Sequence, residues 1–239
     1  MTLQSSDHWV LVPGTLCTPE VFAPVLKHLG VPPERQQVIE VSSPRVEDYD
    51  APLRSAIKGG EVVCGFSLGA MILAHNLGAL EKAKAVVLLA LNPFPDAPGR
   101  RAGREATRDR VLAGDASGWI KEHWAAMSRD TGETVKAQVI NMAEDMTGNI
   151  AAQTELALSR PGAADQLKAT VTPLVFVTGA QDTLTPPDPI RPIAESCGHG
   201  RLYVLDGLGH FALLEAPDRV ALAIAEGLNA VASKSKQEG

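Results

Sequence analysis

Ser67 stands in Gly65-Phe66-Ser67-Leu68-Gly69, which fits G-x-S-x-G. That spacing suits a serine hydroxyl raised above a sheet on a sharp strand-to-helix turn. Such a turn strains the backbone at the serine, so the residues two away on each side must be small. Three fixed residues arise easily by chance. Here Glu61-Val62-Val63-Cys64, an apolar strand, runs straight into the pattern, and an apolar-striped helical segment leaves it. The plain alternative is a serine in a glycine-rich turn.

A serine hydroxyl is a poor nucleophile without a base. His210, in Gly207-Leu208-Gly209-His210-Phe211, follows one expected strand and precedes the last expected helix. A loop at the carboxyl edge of a sheet is where such folds gather reactive groups. The competing reading is a turn histidine. His75 falls within the helix after Ser67, and His8, His28, His123 and His199 read as terminal, helix or loop positions.

The base in turn needs a carboxylate to fix its tautomer and balance the imidazolium. Asp182 lies just past the strand Leu174-Val175-Phe176-Val177 and is the first choice, ahead of Asp206 and Asp96. The chain order is then Ser, Asp, His. A developing oxyanion also needs donors. The N–H of Leu68 is one, and the loop Pro13-Gly14-Thr15-Leu16 should give the second through Thr15, with Leu16 as substitute.

These residues need a scaffold that brings them to one edge. Short apolar runs at 9–12, 37–41, 61–65, 85–91, 173–178 and 201–205 read as strands. Helical spacing fills 19–29, 48–58, 68–80, 189–197 and 218–231. The alternation predicts an α/β fold: a mostly parallel sheet of about six strands with helices on both faces. From 93 to 169 the strands stop, and helical patterns cover 101–112, 117–127, 133–146 and 150–158. The expected division is a core of 1–92 and 170–239 with an all-helical insertion at 93–169. The polar end, 233–239, is expected to fray.

At this point the chain resembles the α/β-hydrolase superfamily over nearly its whole length. The resemblance rests on Val10-Leu11-Val12-Pro13-Gly14, on 65–69, on Val177-Thr178-Gly179-Ala180-Gln181-Asp182, on Thr185-Pro186-Pro187, and on Gly209-His210-Phe211 with Glu215-Ala216-Pro217. Among its branches, the small capped esterases and enol-lactonases look closest, a group that includes proteins similar to pimeloyl-carrier-protein methyl esterase. The resemblance implies that 93–169 is a cap over the site. It departs from the family where Pro13-Gly14 replaces the usual His-Gly, and the first strand read, 9–12, corresponds to the family's third, without the usual N-terminal hairpin. Serine at 67 argues against haloalkane dehalogenases and epoxide hydrolases, which need aspartate there.

The function expected is a serine hydrolase cleaving a carboxylic ester or lactone through an acyl-enzyme, with no metal or organic cofactor. The alternatives are hydrolysis of a carbon–carbon bond in a dienoic ring-cleavage product, a non-catalytic ligand receptor on the same fold, and a lyase or cofactor-free perhydrolase. Candidate pocket residues are Phe66, Trp119, Trp124, Met127, Met142 and Phe211, although any one of them could simply pack the cap onto the core. Arg100, Arg101, Arg104, Arg108 and Arg110 form a basic cluster. It could attract an anionic substrate or an acidic carrier protein. The plainer account is a solvated helix face paired with Glu105 and Asp109.

The partner expected is a small-molecule ester or acyl substrate, and the composition is that of an ordinary globular protein. The 239 residues are 45% hydrophobic and 21% charged, and carry a net charge of −6. That acidity argues against nucleic acid as a partner. No apolar run reaches the roughly 18 residues of a membrane span. Met1 to His8 shows no basic or apolar signal region. Three widely spaced cysteines form neither a disulfide framework nor a zinc pattern, and a cytoplasmic location is expected.

Overall fold

Val, Leu and Ala runs buried on both faces form the strands at the centre of the computed structural model, which describes residues 7–130 and 132–235. Expectations about residues 1–6 and 236–239 lie outside the described residues. The strands are β1 (Trp9–Val12), β2 (Gln36–Val38), β3 (Val62–Phe66), β4 (Ala85–Leu89), β5 (Leu174–Gly179) and β6 (Gly200–Leu205). They form one sheet in the order β2-β1-β3-β4-β5-β6, with every neighbouring pair parallel.

Strand alternation sends side chains to two cores. Trp9, Leu11, Cys64, Val87 and Val175 face one side, where α1 (Ala23–His28) and α11 (Pro217–Ser235) cover them. Val10, Val12, Val63, Val86 and Phe176 face the other. There α2 (Asp50–Ala56), α3 (Leu68–His75) and, further along the chain, α9 (Arg191–Ser196) close the layer. The chain runs from β1 outward to β2 and then back across to β3. The crevice at that reversal lies between the loops that leave β1 and β3, where open α/β sheets place their ligands.

Between β4 and β5 the described residues are helical: α4 (Arg101–Leu112), α5 (Ala116–Met127), α6 (Glu133–Asp145), α7 (Ile150–Ser159) and the short α8 (Ala164–Ala169). Val111, Ile120, Met127, Val139 and Ile150 join the same apolar cluster as Trp9 and Leu11. The helical segment therefore packs on the sheet's carboxyl edge as a continuation of the core.

Several boundaries differ from expectation for identifiable reasons. The strand expected at 37–41 pairs only through Val38, although the Ile39 N–H still donates to Leu11 O at 2.9 Å. The helix expected to reach residue 80 stops at His75. Asn76 Nδ2 there donates to Ile72 O and to Val46 O, both at 2.9 Å, and a short 3-10 turn, Leu77–Ala79, follows. Two helices escaped notice because six and four residues show no period: α8, and α10 (Ala212–Glu215). The last helix extends to Ser235, beyond its expected end. Among the described residues no helix is long and apolar enough to cross a membrane.

Candidate active site

Ser67 joins β3 to α3 with φ 51° and ψ −114°, a conformation rare for a residue with a side chain. Its neighbours hold it there. A Cβ on Gly65 would stand 2.7 Å from Ala70 N, and one on Gly69 would stand 1.9 Å from Val12 O. Both glycines are therefore required by close backbone approach. Gly14 is pressed on the same corner, its missing Cβ 3.2 Å from Ser67 Cβ.

His210 reaches Ser67 from the loop after β6. Its Nε2 lies 3.0 Å from Ser67 Oγ, and its Nδ1 lies 2.8 Å from Asp182 Oδ2. The carboxylate accepts from Nδ1–H, which leaves Nε2 to accept the serine proton. The loops carrying Asp182 and His210 interlock. Gln181 N–H donates to Leu208 O at 2.9 Å, and a Cβ on Gly179 would stand 2.3 Å from that same carbonyl. The end of α5 braces the histidine, since His210 N–H donates to Met127 O at 2.9 Å. Glu215 Oε2 accepts from Gly209 N–H at 2.9 Å and Arg129 N–H at 3.3 Å, which accounts for the glutamate of the Glu215-Ala216-Pro217 ending.

Asp182 is buried and fully engaged. Oδ1 accepts from the N–H groups of Leu184 and Thr185 at 2.9 and 2.8 Å, and Oδ2 also accepts from Thr185 Oγ1 at 2.6 Å. Burial opposes its charge. The neighbouring His210 and the hydrogen bonds from His210 and Thr185 outweigh that and hold the carboxyl below its usual range. Of the two competing acids, Asp96 has its carboxylate engaged elsewhere, and only the backbone of Asp206 is seen bonded. Both oxygens of Asp96 accept from Arg104, and the Asp206 carbonyl accepts from Arg219. Neither bonds His210. Of the other histidines, His75 Nε2 sits 3.9 Å from Glu47, and His123 Nδ1–H donates to Trp119 O at 2.9 Å.

The loop after β1 closes as a turn, with Cys17 N–H donating to Gly14 O at 3.2 Å and Leu16 at φ 55°. Leu16 cannot serve as the substitute donor that the sequence suggested. Its N–H is buried against Gln153 Oε1 at 3.0 Å. Thr15 lines the cleft beside Ser67. Leu68 opens α3, where a helix provides no acceptor for the first N–H groups.

Ser67 and His210 open into a cleft of about 450 Å³ between the sheet edge and the helical segment. Of the candidate pocket residues, Phe66, Trp119, Met127 and Phe211 line it. Trp124 and Met142 do not. Trp124 is buried behind Phe211 with its Nε1–H donating to Asp130 O at 3.0 Å, and Met142 is enclosed in the core of the helical segment. Sequence reasoning missed Gln153, Thr185 and His123. Thr185 alone carried a signal, because it sits three residues past Asp182 in a matched motif. Cys17 also lines the cleft, but burial pushes its thiol up to about 12.

A serine at a strained turn, a histidine within proton-transfer distance and a buried carboxylate behind it can generate an oxygen nucleophile and shuttle its proton. The sequence matches the description "Alpha/beta hydrolase family" over residues 4–223. The chain belongs to that family, which supports a hydrolase. The search of curated proteins returned no match. Solved structures share the fold at low identity. An esterase from Thermogutta terrifontis is 19% identical with a TM-score of 0.79, covering 95% of this chain and 90% of its own. A structure from work on carboxylesterases of Nitrososphaera gargenis is 14% identical at 0.78, covering 97% and 93%. A bromoperoxidase from Bacillus anthracis is 13% identical at 0.75, covering 94% and 92%.

Proposed function

We propose that this protein is a serine hydrolase that cleaves a carboxylic ester or lactone through an acyl-enzyme. The observation that carries the reading is the chain from Ser67 Oγ through His210 to Asp182, at 3.0 and 2.8 Å, opening into a partly apolar cleft. Two of the similar structures come from esterase work, which supports the choice of bond. The bromoperoxidase has the same fold, so the fold alone does not choose.

In this reading Ser67 Oγ attacks the carbonyl carbon while His210 Nε2 takes its proton. The N–H groups of Leu68 and Thr15 receive the oxyanion. Collapse breaks the ester bond, and the leaving alcohol takes the proton from His210. Water then adds to the acyl-enzyme with His210 again as base, releasing the acid and restoring Ser67. Asp182 keeps its charge throughout and fixes the histidine tautomer. Residues 93–169 act as a cap that limits water near the acyl group. No metal or organic cofactor takes part, and the partner is a small ester or acyl substrate. The buried free thiols of Cys17, Cys64 and Cys197 suit a reducing compartment such as the cytoplasm.

The test is labelling with a fluorophosphonate, followed by an ester panel of varied acyl length. Wild type should label and turn over esters, and Ser67→Ala should do neither. Labelling that persists in Ser67→Ala would remove Ser67 from its role.

A further inference from the structure

The basic cluster that precedes and enters α4 divides into two sets when its partners are traced. Arg101 pairs with Glu105 at 3.2 Å, Arg108 with Asp109 at 2.7 Å, and Arg110 with Asp115 at 2.6 Å and Glu122 at 2.5 Å. These three stand away from the cleft, and the solvated paired face explains them. Arg100 and Arg104 are different. Together with Gly103 and Thr107 they line the cleft, at the spacing that puts residues on one helix face.

Arg104 is committed to Asp96, holding both carboxylate oxygens through Nε and Nη2. Arg160, buried behind that pair, places Nη2 3.9 Å from the same carboxylate, and its Nε and Nη2 find no hydrogen-bond acceptor. One carboxylate thus faces two guanidinium groups. Burial draws the Arg160 pKa down to about 10, Asp96 opposes this, and Arg104 adds to it. Asp96 therefore has no charge left to offer Arg100. Among the described residues the Arg100 side chain makes no ion pair and no hydrogen bond, although the protein as a whole carries −6. Gly103 leaves open space beside it, with nothing within 4 Å of where a Cβ would be. Ile120, Val139 and Ile150 give the same cleft an apolar lining.

We infer that the cleft selects esters carrying a carboxylate remote from the scissile bond, with Arg100 as the group that receives it. The inference rests on the reading of Ser67 as a hydrolase nucleophile. A guanidinium fork matches a carboxylate through two parallel hydrogen bonds. The alkyl chain between the two ends would lie along the apolar lining, so the preference should peak at one chain length.

The test compares aryl monoesters of adipic, suberic and sebacic acids with the same compounds capped as methyl esters at the far carboxyl. Wild type should prefer the free acid by roughly tenfold in kcat/KM at its best length, the size expected of one charge-assisted contact at a solvent-facing site. Arg100→Gln should remove that preference, with the loss on the free acids carried by KM and several-fold larger than any change on the capped esters. Arg100→Lys should restore part of it. Equal or better turnover of the capped esters at every length would overturn the inference, as would an Arg100→Gln effect of equal size on both series. If no ester turns over, the Ser67 reading fails separately. Calorimetry with monomethyl suberate then decides: binding lost in Arg100→Gln supports the inference, and equal binding overturns it.

Discussion

The N–H of Leu16 donates to Gln153 Oε1 at 3.0 Å across 137 residues of sequence. The other end of the same amide, Nε2, donates to Val41 O at 3.0 Å. Gln153 is 1% exposed, so both bonds are shielded from water. One glutamine in α7 thus joins the helical segment to the loops that follow β1 and β2. It holds Leu16 at positive φ and leaves Thr15 as the loop residue facing Ser67.

Gln153→Leu should therefore affect rate more than binding. It strips an acceptor from Leu16 and a donor from Val41, at about 1–3 kcal/mol for each buried group left unpaired. If the turn sets the Thr15 donor, kcat should fall roughly tenfold, less than the roughly 10²–10³-fold cost of losing an oxyanion donor outright, while KM changes little. Gln153→Glu keeps an acceptor for Leu16 and should retain more of kcat than Gln153→Leu. Steady-state kinetics and thermal melting check this. A stability loss with kcat intact would leave Gln153 a purely structural residue.

Asp182→Asn should reduce kcat by roughly 10³–10⁴-fold, because an amide cannot fix the same tautomer or balance the imidazolium. The pH dependence follows from the lowered carboxyl pKa in the folded protein. The unfolded chain binds this proton more readily than the folded one. The stabilisation is therefore complete above the ordinary carboxylate range and is lost as pH falls through the lowered folded value. The melting-temperature gap between wild type and Asp182→Asn should narrow below about pH 4, the ordinary aspartate range. A gap that stays constant into acid would contradict the assignment.

Most of the site was legible because it depends on order along the chain. Ser67, Asp182 and His210 each follow an apolar strand, and parallel strands deliver the ends of β3, β5 and β6 to one edge. What stayed hidden depends on distance in space. Nothing in the local pattern of Gln153 announces a bond to Leu16. Trp124 and Met127 sit one turn apart in α5, yet one faces the core of the helical segment and the other the cleft. Periodicity finds an apolar stripe but does not say which part of it meets a cavity. The arginine cluster was visible as charge, and only the partners of each side chain separated Arg100 from the rest.

Gly69→Ala should be far more damaging than its size suggests. The added methyl would meet Val12 O at 1.9 Å and Pro13 O at 2.6 Å, both backbone atoms that no rotamer change can move. The cost should reach or exceed the usual 1–3 kcal/mol of overpacking. Gly78→Ala is the matched control, since its Cβ would enter open space. Melting curves should show a large drop for Gly69→Ala, or no soluble protein, and little change for Gly78→Ala. Similar behaviour of the two would mean that the elbow tolerates separation from β1.

Cys17 tests whether Ser67 has a rival nucleophile in the cleft. The thiol lines the same cavity, yet burial lifts its pKa from 9.0 to about 12, and the thiolate is the reactive form. Iodoacetamide at neutral pH should therefore leave Cys17 unmodified in the folded protein and ester turnover unchanged, while the same reagent labels it after unfolding. The raised pKa also fixes a sign. The folded state holds this proton more tightly than the unfolded chain, so stability contributed by the protonated thiol is lost as pH rises from 9.0 towards about 12. Cys17→Ser should flatten that alkaline decline in melting temperature. Peptide mapping that found Cys17 carbamidomethylated in the native protein, with turnover lost, would show a thiolate at neutral pH and return the choice of nucleophile to question.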